Sequence, residues 1–240
     1  MSDDPLRAVE TLGSELAREL GGNLVSVVLF GSAARSGVPA GGTSFNLLVI
    51  VRDASTRTLH PAAATIADWV KRGQPAPLIF SEQEWRDSTD VFPIEIEDLR
   101  QTRRVLQGRD PLDGIVTTRD DLRRQLEREL RVKLLRLRTL YAAAAADGEA
   151  LQRLLRDSAS SFLTLLRASL RLQGTEPAGG PSEVIAQAAR VLGIDGDAFA
   201  WAAAAYSDRG PRPQPLRPYD PVAARYVDAI ERLAAIVNNA

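Results

Sequence analysis

The sequence predicts an α+β protein in which a domain with a small mixed β-sheet, residues 1–115, precedes a helical bundle, residues 116–240. The prediction depends on a change in pattern near residue 115. Before it, β-branched runs alternate with helical periodicity. After it, Leu, Ala and Arg dominate at helical spacing. Hydrophobic residues make up 45% of the chain and charged residues 25%, which is typical of a folded globular protein.

The predicted elements of the first domain follow from local periodicity and turn residues. Helices are expected over Pro5–Leu20, Leu59–Arg72 and Asp98–Leu106, with a helical turn over Glu82–Arg86 that Ser81 can cap. Strands are expected over Leu24–Phe30, Phe45–Arg52, Pro77–Phe80 and Phe92–Glu97. The second of these strands is apolar on both faces, which predicts a central position in the sheet. The fourth alternates apolar and acidic residues, which predicts a half-exposed strand.

The second domain is predicted to be an antiparallel bundle of about five helices. Leucines recur at helical spacing through its long segments. The expected helices are Arg119–Ala146, Leu151–Gln173, Ser182–Leu192, Asp197–Tyr206 and Pro221–Val237. Broad apolar stripes and alanine-rich segments near Ala142 and Ala202 predict a homodimer, because surplus apolar surface is often covered by a second copy.

Composition excludes several classes of function. Thirty Lys and Arg against 31 Asp and Glu give a net charge of −1, which argues against a nucleic-acid coat or a polybasic membrane binder. The chain has no Cys and a single His, His60, so disulfides and multi-His zinc sites are excluded. No apolar run approaches the ~20 residues of a membrane helix, and the start lacks a signal core. We therefore expect a cytoplasmic protein that binds neither nucleic acid nor membrane.

The most informative segment is the end of the first strand. It terminates in Gly31-Ser32 and turns at once into a helix, which presents backbone N–H groups suited to a phosphate. Ser32 adds a hydroxyl and Arg35, one turn on, adds positive charge. The alternative interpretation is an ordinary tight turn with a small residue at its corner, and short glycine motifs alone do not separate the two.

The segment Gly31-Ser32-Ala33-Ala34-Arg35, followed by Thr43-Ser44-Phe45-Asn46-Leu47-Leu48-Val49, resembles the signature of the nucleotidyltransferase superfamily with the DNA polymerase β-like fold. The branch it resembles is the bacterial minimal and aminoglycoside-type nucleotidyltransferases. The motif resemblance covers roughly residues 5–115. It implies a nucleotide-binding site formed by Gly31, Ser32, Arg35, Ser44 and Asn46.

The sequence departs from that family at the metal ligands. The family carries Asp-x-Asp on one strand face to hold Mg²⁺, and a third carboxylate on a neighbouring strand. Alignment on the apolar strand places Ser44 and Asn46 at the two Asp positions. Glu95 matches the third carboxylate, with Glu97 as the alternative, although a solvated sheet face explains both equally well. A hydroxyl and an amide should hold Mg²⁺ weakly, so we predict that no intact metal site remains.

Three functions are consistent with these residues. The first is a catalytically degenerate nucleotidyltransferase fold that binds a nucleotide or a protein partner in the ancestral nucleotide-binding cleft of the family. The second is an active enzyme that uses Mg²⁺ and a nucleoside triphosphate to modify a small hydroxylated molecule or a protein. The third is an antitoxin-like interaction module. The neutral residues Ser44 and Asn46 favour the first and third over the second.

Overall fold

A computed structural model of the chain describes residues 5–31, 33–34, 45–207 and 212–240. The chain divides into two compact units, Met1–Thr117 and Thr118–Ala240. The first contains a small mixed sheet with helices, and the second contains helices. This is the α+β class that the sequence predicted.

The first unit contains four strands and five α-helices within the described ranges. The elements are α1 (Pro5–Leu20), β1 (Leu24–Phe30), β2 (Asn46–Val51), α2 (Thr56–Leu59), α3 (Ala63–Lys71), β3 (Leu78–Ser81), α4 (Glu82–Asp87), α5 (Pro93–Thr102) and β4 (Arg104–Gly108). Short 3₁₀ turns over Gly21–Asn23 and His60–Ala62 join α1 to β1 and α2 to α3. The predicted helix 59–72 is thus divided at Pro61, which lacks a backbone N–H.

The strand order is β3-β2-β1-β4. Strand β1 pairs antiparallel with both β2 and β4, and β2 pairs parallel with β3. Alternate side chains of the strands point to opposite faces, and each face has its own core. Leu47 and Val49 pack with α1, whereas Leu48 and Ile50 pack with Trp85 of α4 and with residues of α5.

Two predicted elements of this unit are wrong. Residues 92–97 are predicted as a strand, but residues 93–97 form the start of helix α5 and Phe92 is its N-cap. Residues 104–108, predicted largely as helix, form strand β4. Pro93 occupies the first turn of α5, where its fixed φ suits a helix, and Ile96 and Leu99 continue the buried face at a helical step. Strand β4 forms because β1 has an open edge with which it can pair. At its end, a Cβ on Gly108 would lie 2.0 Å from Val25 O, so this close pairing requires glycine.

The second unit consists of five helices among its described residues, as predicted. They are α6 (Arg119–Ala144), α7 (Gly148–Leu172), α8 (Pro181–Leu192), α9 (Gly196–Tyr206) and α10 (Pro221–Asn238). Tyr226 lies in the core of this unit, with its ring centroid 5.1 Å from that of Phe199 and 6.0 Å from that of Phe162. Its hydroxyl pairs with that of Ser158, and burial raises the pKa of Tyr226.

The alanine-rich segments that suggested a homodimer have different surroundings. Ala202 is buried inside the second unit, whereas Ala142 is exposed. Val132 and Leu135 of α6 are also exposed. The homodimer stays a prediction that light scattering would test. Within the described residues, no helix is both long and apolar enough to cross a membrane.

Candidate functional site

The candidate site begins where β1 ends and β2 starts. Phe30, the last residue of β1, pairs with Asn46, the first residue of β2. Gly31 follows with φ +78°, and a Cβ built on it would lie 3.3 Å from Nδ2 of Asn46. Gly31 and Asn46 therefore lie together at adjoining strand ends. A glycine suits this corner because both its backbone conformation and the nearby amide disfavour a side chain.

The turn at Gly31 is fixed by two hydrogen bonds. The N–H of Gly31 donates to Oγ1 of Thr102 on α5 (3.3 Å), and its carbonyl accepts from the N–H of Ala34 (3.1 Å). Both Gly31 and Thr102 are buried. The Gly31 amide is therefore satisfied inside the protein, so a phosphate at this turn would use backbone amides beyond it. The contribution of Gly31 to the site is the turn itself.

Asn46 is the described residue that best fits a ligand-facing role. It is exposed, whereas the rest of β2 is buried. By the strand's two-residue period its side chain shares a face with Leu48 and Ile50, the face that α4 and α5 cover. The other predicted nucleotide-binding residues, Ser32, Arg35 and Ser44, lie outside the described residues.

The predicted strand position of Glu95 is wrong, because Glu95 lies in the first turn of helix α5. Helical spacing puts Glu95, Asp98 and Thr102 along one flank of α5. Thr102 contacts the Gly31 turn, and Oδ2 of Asp98 lies 3.4 Å from Oγ1 of Thr102. Asp98 is therefore one helical turn nearer than Glu95 to the strand ends.

The alternative third carboxylate, Glu97, has other partners. It forms an ion pair with Arg100 (3.0 Å) and accepts a hydrogen bond from the Thr117 hydroxyl.

The described residues do not fit a Mg²⁺ site of the family type. The strands that flank β1 and β2 carry no carboxylate: β3 reads Leu-Ile-Phe-Ser and β4 reads Arg-Val-Leu-Gln-Gly. Asn46 offers one neutral amide oxygen, and Mg²⁺ prefers anionic oxygen. Over the ranges that the structure describes, no group of three His, Asp or Glu residues is placed to hold a metal.

The start of β2 is held from its other side by the loop before β3. Oε1 of Gln74 accepts the N–H of Phe45 (3.0 Å), and the ring of Phe45 lies against Trp69 of α3, with centroids 6.3 Å apart. Nε1 of Trp69 in turn donates to the carbonyl of Pro75 (3.0 Å). Phe45, Trp69 and the Gln74-Pro75 pair thus form a closed set of contacts next to Asn46.

Comparison with solved structures supports the fold at this point. The chain is similar to a spectinomycin adenyltransferase from Enterococcus faecialis, solved with ATP and spectinomycin. The TM-score is 0.61, and the match covers 95% of this chain and 98% of that one at 15% sequence identity. No protein-family model matches the chain, and no curated protein matches it in sequence. At this identity the likeness establishes the nucleotidyltransferase fold.

Sequence reasoning did not find Thr102, Asp98 or Gln74. Thr102 lies 71 residues after Gly31, and no local pattern relates the two. Gln74 follows a helix end and carries no motif. Thr102 and Gln74 act through hydrogen bonds to segments distant in sequence, which only the folded chain brings together. The alternation in residues 92–97 also concealed Asp98 by suggesting a strand rather than a helix flank.

Proposed function

We propose that this chain is a catalytically degenerate member of the nucleotidyltransferase fold that binds a nucleoside triphosphate where β1 and β2 meet, with little dependence on Mg²⁺. The observation that supports it most directly is the position of Asn46. Asn46 stands exposed at the start of β2, beside the Gly31 turn, where the family resemblance expects a metal-binding Asp.

The chemistry of this position argues against transfer. In nucleotidyl transfer a divalent metal neutralises the phosphates and activates the attacking hydroxyl, which supplies several kcal/mol of barrier lowering. A neutral amide cannot hold the ion with comparable strength. Loss of that contribution corresponds to a rate decrease on the order of a thousandfold or more. Binding is affected less, because the turn after Gly31 and the guanidinium of Arg35 can still attract a phosphate.

The ligand assignment is supported by the fold comparison. The similar adenyltransferase was solved with ATP, and its likeness extends over nearly the full length of both chains. We therefore take ATP as the first ligand to test. Gly31, Ser32, Arg35, Ser44 and Asn46 are the proposed nucleotide-binding residues, with Gly31 shaping the turn.

The test is calorimetric titration with ATP, GTP, CTP and UTP, each with and without Mg²⁺, together with a pyrophosphate-release assay. We expect binding of at least one triphosphate with similar affinity in both conditions, and no pyrophosphate. Arg35→Ala should weaken binding, whereas Arg57→Ala, at an exposed position on α2, should leave it unchanged. Robust Mg²⁺-dependent pyrophosphate release would favour the active enzyme instead. Absence of any nucleotide binding would favour the antitoxin-like interaction module.

A further inference from the structure

The position of Asn46 depends on Gln74, which acts through Phe45 and to which neither the motif nor the fold comparison assigns a role. Phe45, the neighbour of Asn46, is buried on the opposite face of the sheet, where its ring packs against Trp69. In an extended strand, residues on either side of a fixed residue point to the other face. Whatever fixes Phe45 therefore fixes the direction in which Asn46 projects.

The backbone of Phe45 is held by Gln74. Its N–H donates to Oε1 of Gln74 (3.0 Å), and this bond is partly buried. The loop that carries Gln74 is itself anchored, since Nε1 of Trp69 donates to Pro75 O (3.0 Å). Gly73, with φ +80°, turns the chain out of α3 toward Gln74, and its N–H donates to Val70 O (2.9 Å). The acceptor is thus presented from a constrained loop.

From this geometry we infer that Gln74 is a positioning residue of the candidate nucleotide site. Its side-chain carbonyl fixes the start of β2, and through Phe45 it holds Asn46 beside the Gly31 turn. Thr102 fixes the other strand end by accepting the Gly31 N–H. The two strand ends are therefore held by side-chain acceptors from different elements. This inference rests on the proposed nucleotide-binding function.

The experiment uses the full chain with Gln74→Met, which keeps the length of the side chain but removes the acceptor. Gln74→Glu restores an acceptor oxygen. Gln83→Met is the matched control, because Gln83 is exposed on α4 and donates to Asp87. Two quantities are measured for each variant: hydrogen exchange of the Phe45 amide, and the dissociation constant for ATP by calorimetry.

We expect Gln74→Met to speed exchange of the Phe45 amide by roughly five- to tenfold, the factor that one net hydrogen bond supplies. We expect its dissociation constant for ATP to rise roughly three- to tenfold, because a loosened support misplaces the groups it holds. Gln74→Glu should return both values toward those of the natural chain, and Gln83→Met should change neither. A purely structural role would lower the melting temperature without this rescue of affinity.

The outcomes separate this inference from the proposed function. If the natural chain binds ATP and Gln74→Met binds it equally well, Gln74 does not position the site and only this inference is overturned. If Phe45 exchange does not change in Gln74→Met, the hydrogen bond does not hold the strand and the inference is likewise wrong. If the natural chain binds no nucleotide, the proposed function fails, and the inference fails with it.

Discussion

The N–H of Gly31 donates a hydrogen bond to Oγ1 of Thr102 across 71 residues of sequence, with 3.3 Å between the nitrogen and the oxygen. The same hydroxyl donates to the carbonyl of Asp98 one turn earlier (2.7 Å). The end of helix α5 is thereby fixed to the corner at which β1 turns away from β2. Because the Gly31 N–H is used in this bond, it stabilises the first unit and is not free to bind an anion.

Thr102→Val should lower the free energy of unfolding of the first unit by about 1–3 kcal/mol, because it leaves the buried Gly31 N–H without an acceptor. Thr102→Ser, which retains the hydroxyl, should lose much less. The measurement is urea denaturation followed by tryptophan fluorescence, since Trp69 and Trp85 both lie in this unit. Equal stability of the Val and Ser variants would mean that the hydrogen bond contributes nothing net.

Ser44→Asp combined with Asn46→Asp should make nucleotide binding dependent on Mg²⁺. Two carboxylates at the predicted metal-facing positions would supply the anionic oxygens that Mg²⁺ prefers, and we expect an affinity gain with Mg²⁺ on the order of tenfold. Calorimetry with ATP, with and without Mg²⁺, measures the effect. Since Glu95 lies on α5 and not on a strand, we expect a site of two carboxylates, with Asp98 the nearer acidic residue of that helix.

The matched control for the double variant is Asp substitution at an exposed asparagine of the second unit, Asn239→Asp. It adds negative charge without approaching the strand ends in sequence. An unchanged response to Mg²⁺ in the double variant would show that Ser44 and Asn46 do not face the metal position assigned to them.

The Arg103–Asp110 pair should make the stability of the first unit sensitive to acid. Burial raises the pKa of Asp110, but the hydrogen bonds from Arg103 and from the Leu112 amide, with the charge of Arg103, outweigh it and lower the pKa. Nη2 of Arg103 lies 2.6 Å from Oδ2 of Asp110. A lowered folded-state pKa contributes stability that is complete above the unfolded value, about 3.9, and is lost as pH falls through the folded value.

Asp110→Asn should therefore be less stable than the natural chain at pH 7, by about 1 kcal/mol or less, because the pair is partly exposed. The difference should shrink as the pH is lowered below about 4. Denaturation curves at pH 7 and pH 3 test this, with the exposed Asp90→Asn as the control for the change of charge. A stability difference that does not depend on pH would show that the carboxylate charge of Asp110 does not stabilise the first unit.

Gly148→Ala should destabilise the second unit. A Cβ at Gly148, the first residue of α7, would lie 2.1 Å from the carbonyl oxygen of Leu216. Displacing that segment should cost roughly 1–3 kcal/mol, which exceeds the helix-propensity gain of alanine. Thermal unfolding measures the loss. Gly22→Ala is the control, because nothing lies within 4 Å of a Cβ there; equal melting temperatures would mean that the 212–217 segment moves without cost.

The sequence by itself determined the fold class and most of the site's framework. The apolar runs of β1 and β2, the glycine corner between them and the leucine periodicity of α6 and α7 are local patterns, so each could be recognised without a partner. The proximity of Gly31 and Asn46 was also predictable. Gly31 follows β1, Asn46 begins β2, and these two consecutive strands are neighbours in the sheet. That positions 44 and 46 carry neutral residues, and not an acidic pair, is visible in the sequence alone.

Tertiary structure decided the residues that support the site. Residues 92–97 have a strand-like alternation, but residues 93–97 are helical because Ile96 and Leu99 pack against the sheet. Residues 104–108 have no strong strand signal and become β4 because β1 has an open edge. Thr102 and Gln74 act through hydrogen bonds to backbone groups 71 and 29 residues away. Local sequence does not encode such bonds, because their energy depends on burial and on partners that only the folded chain supplies.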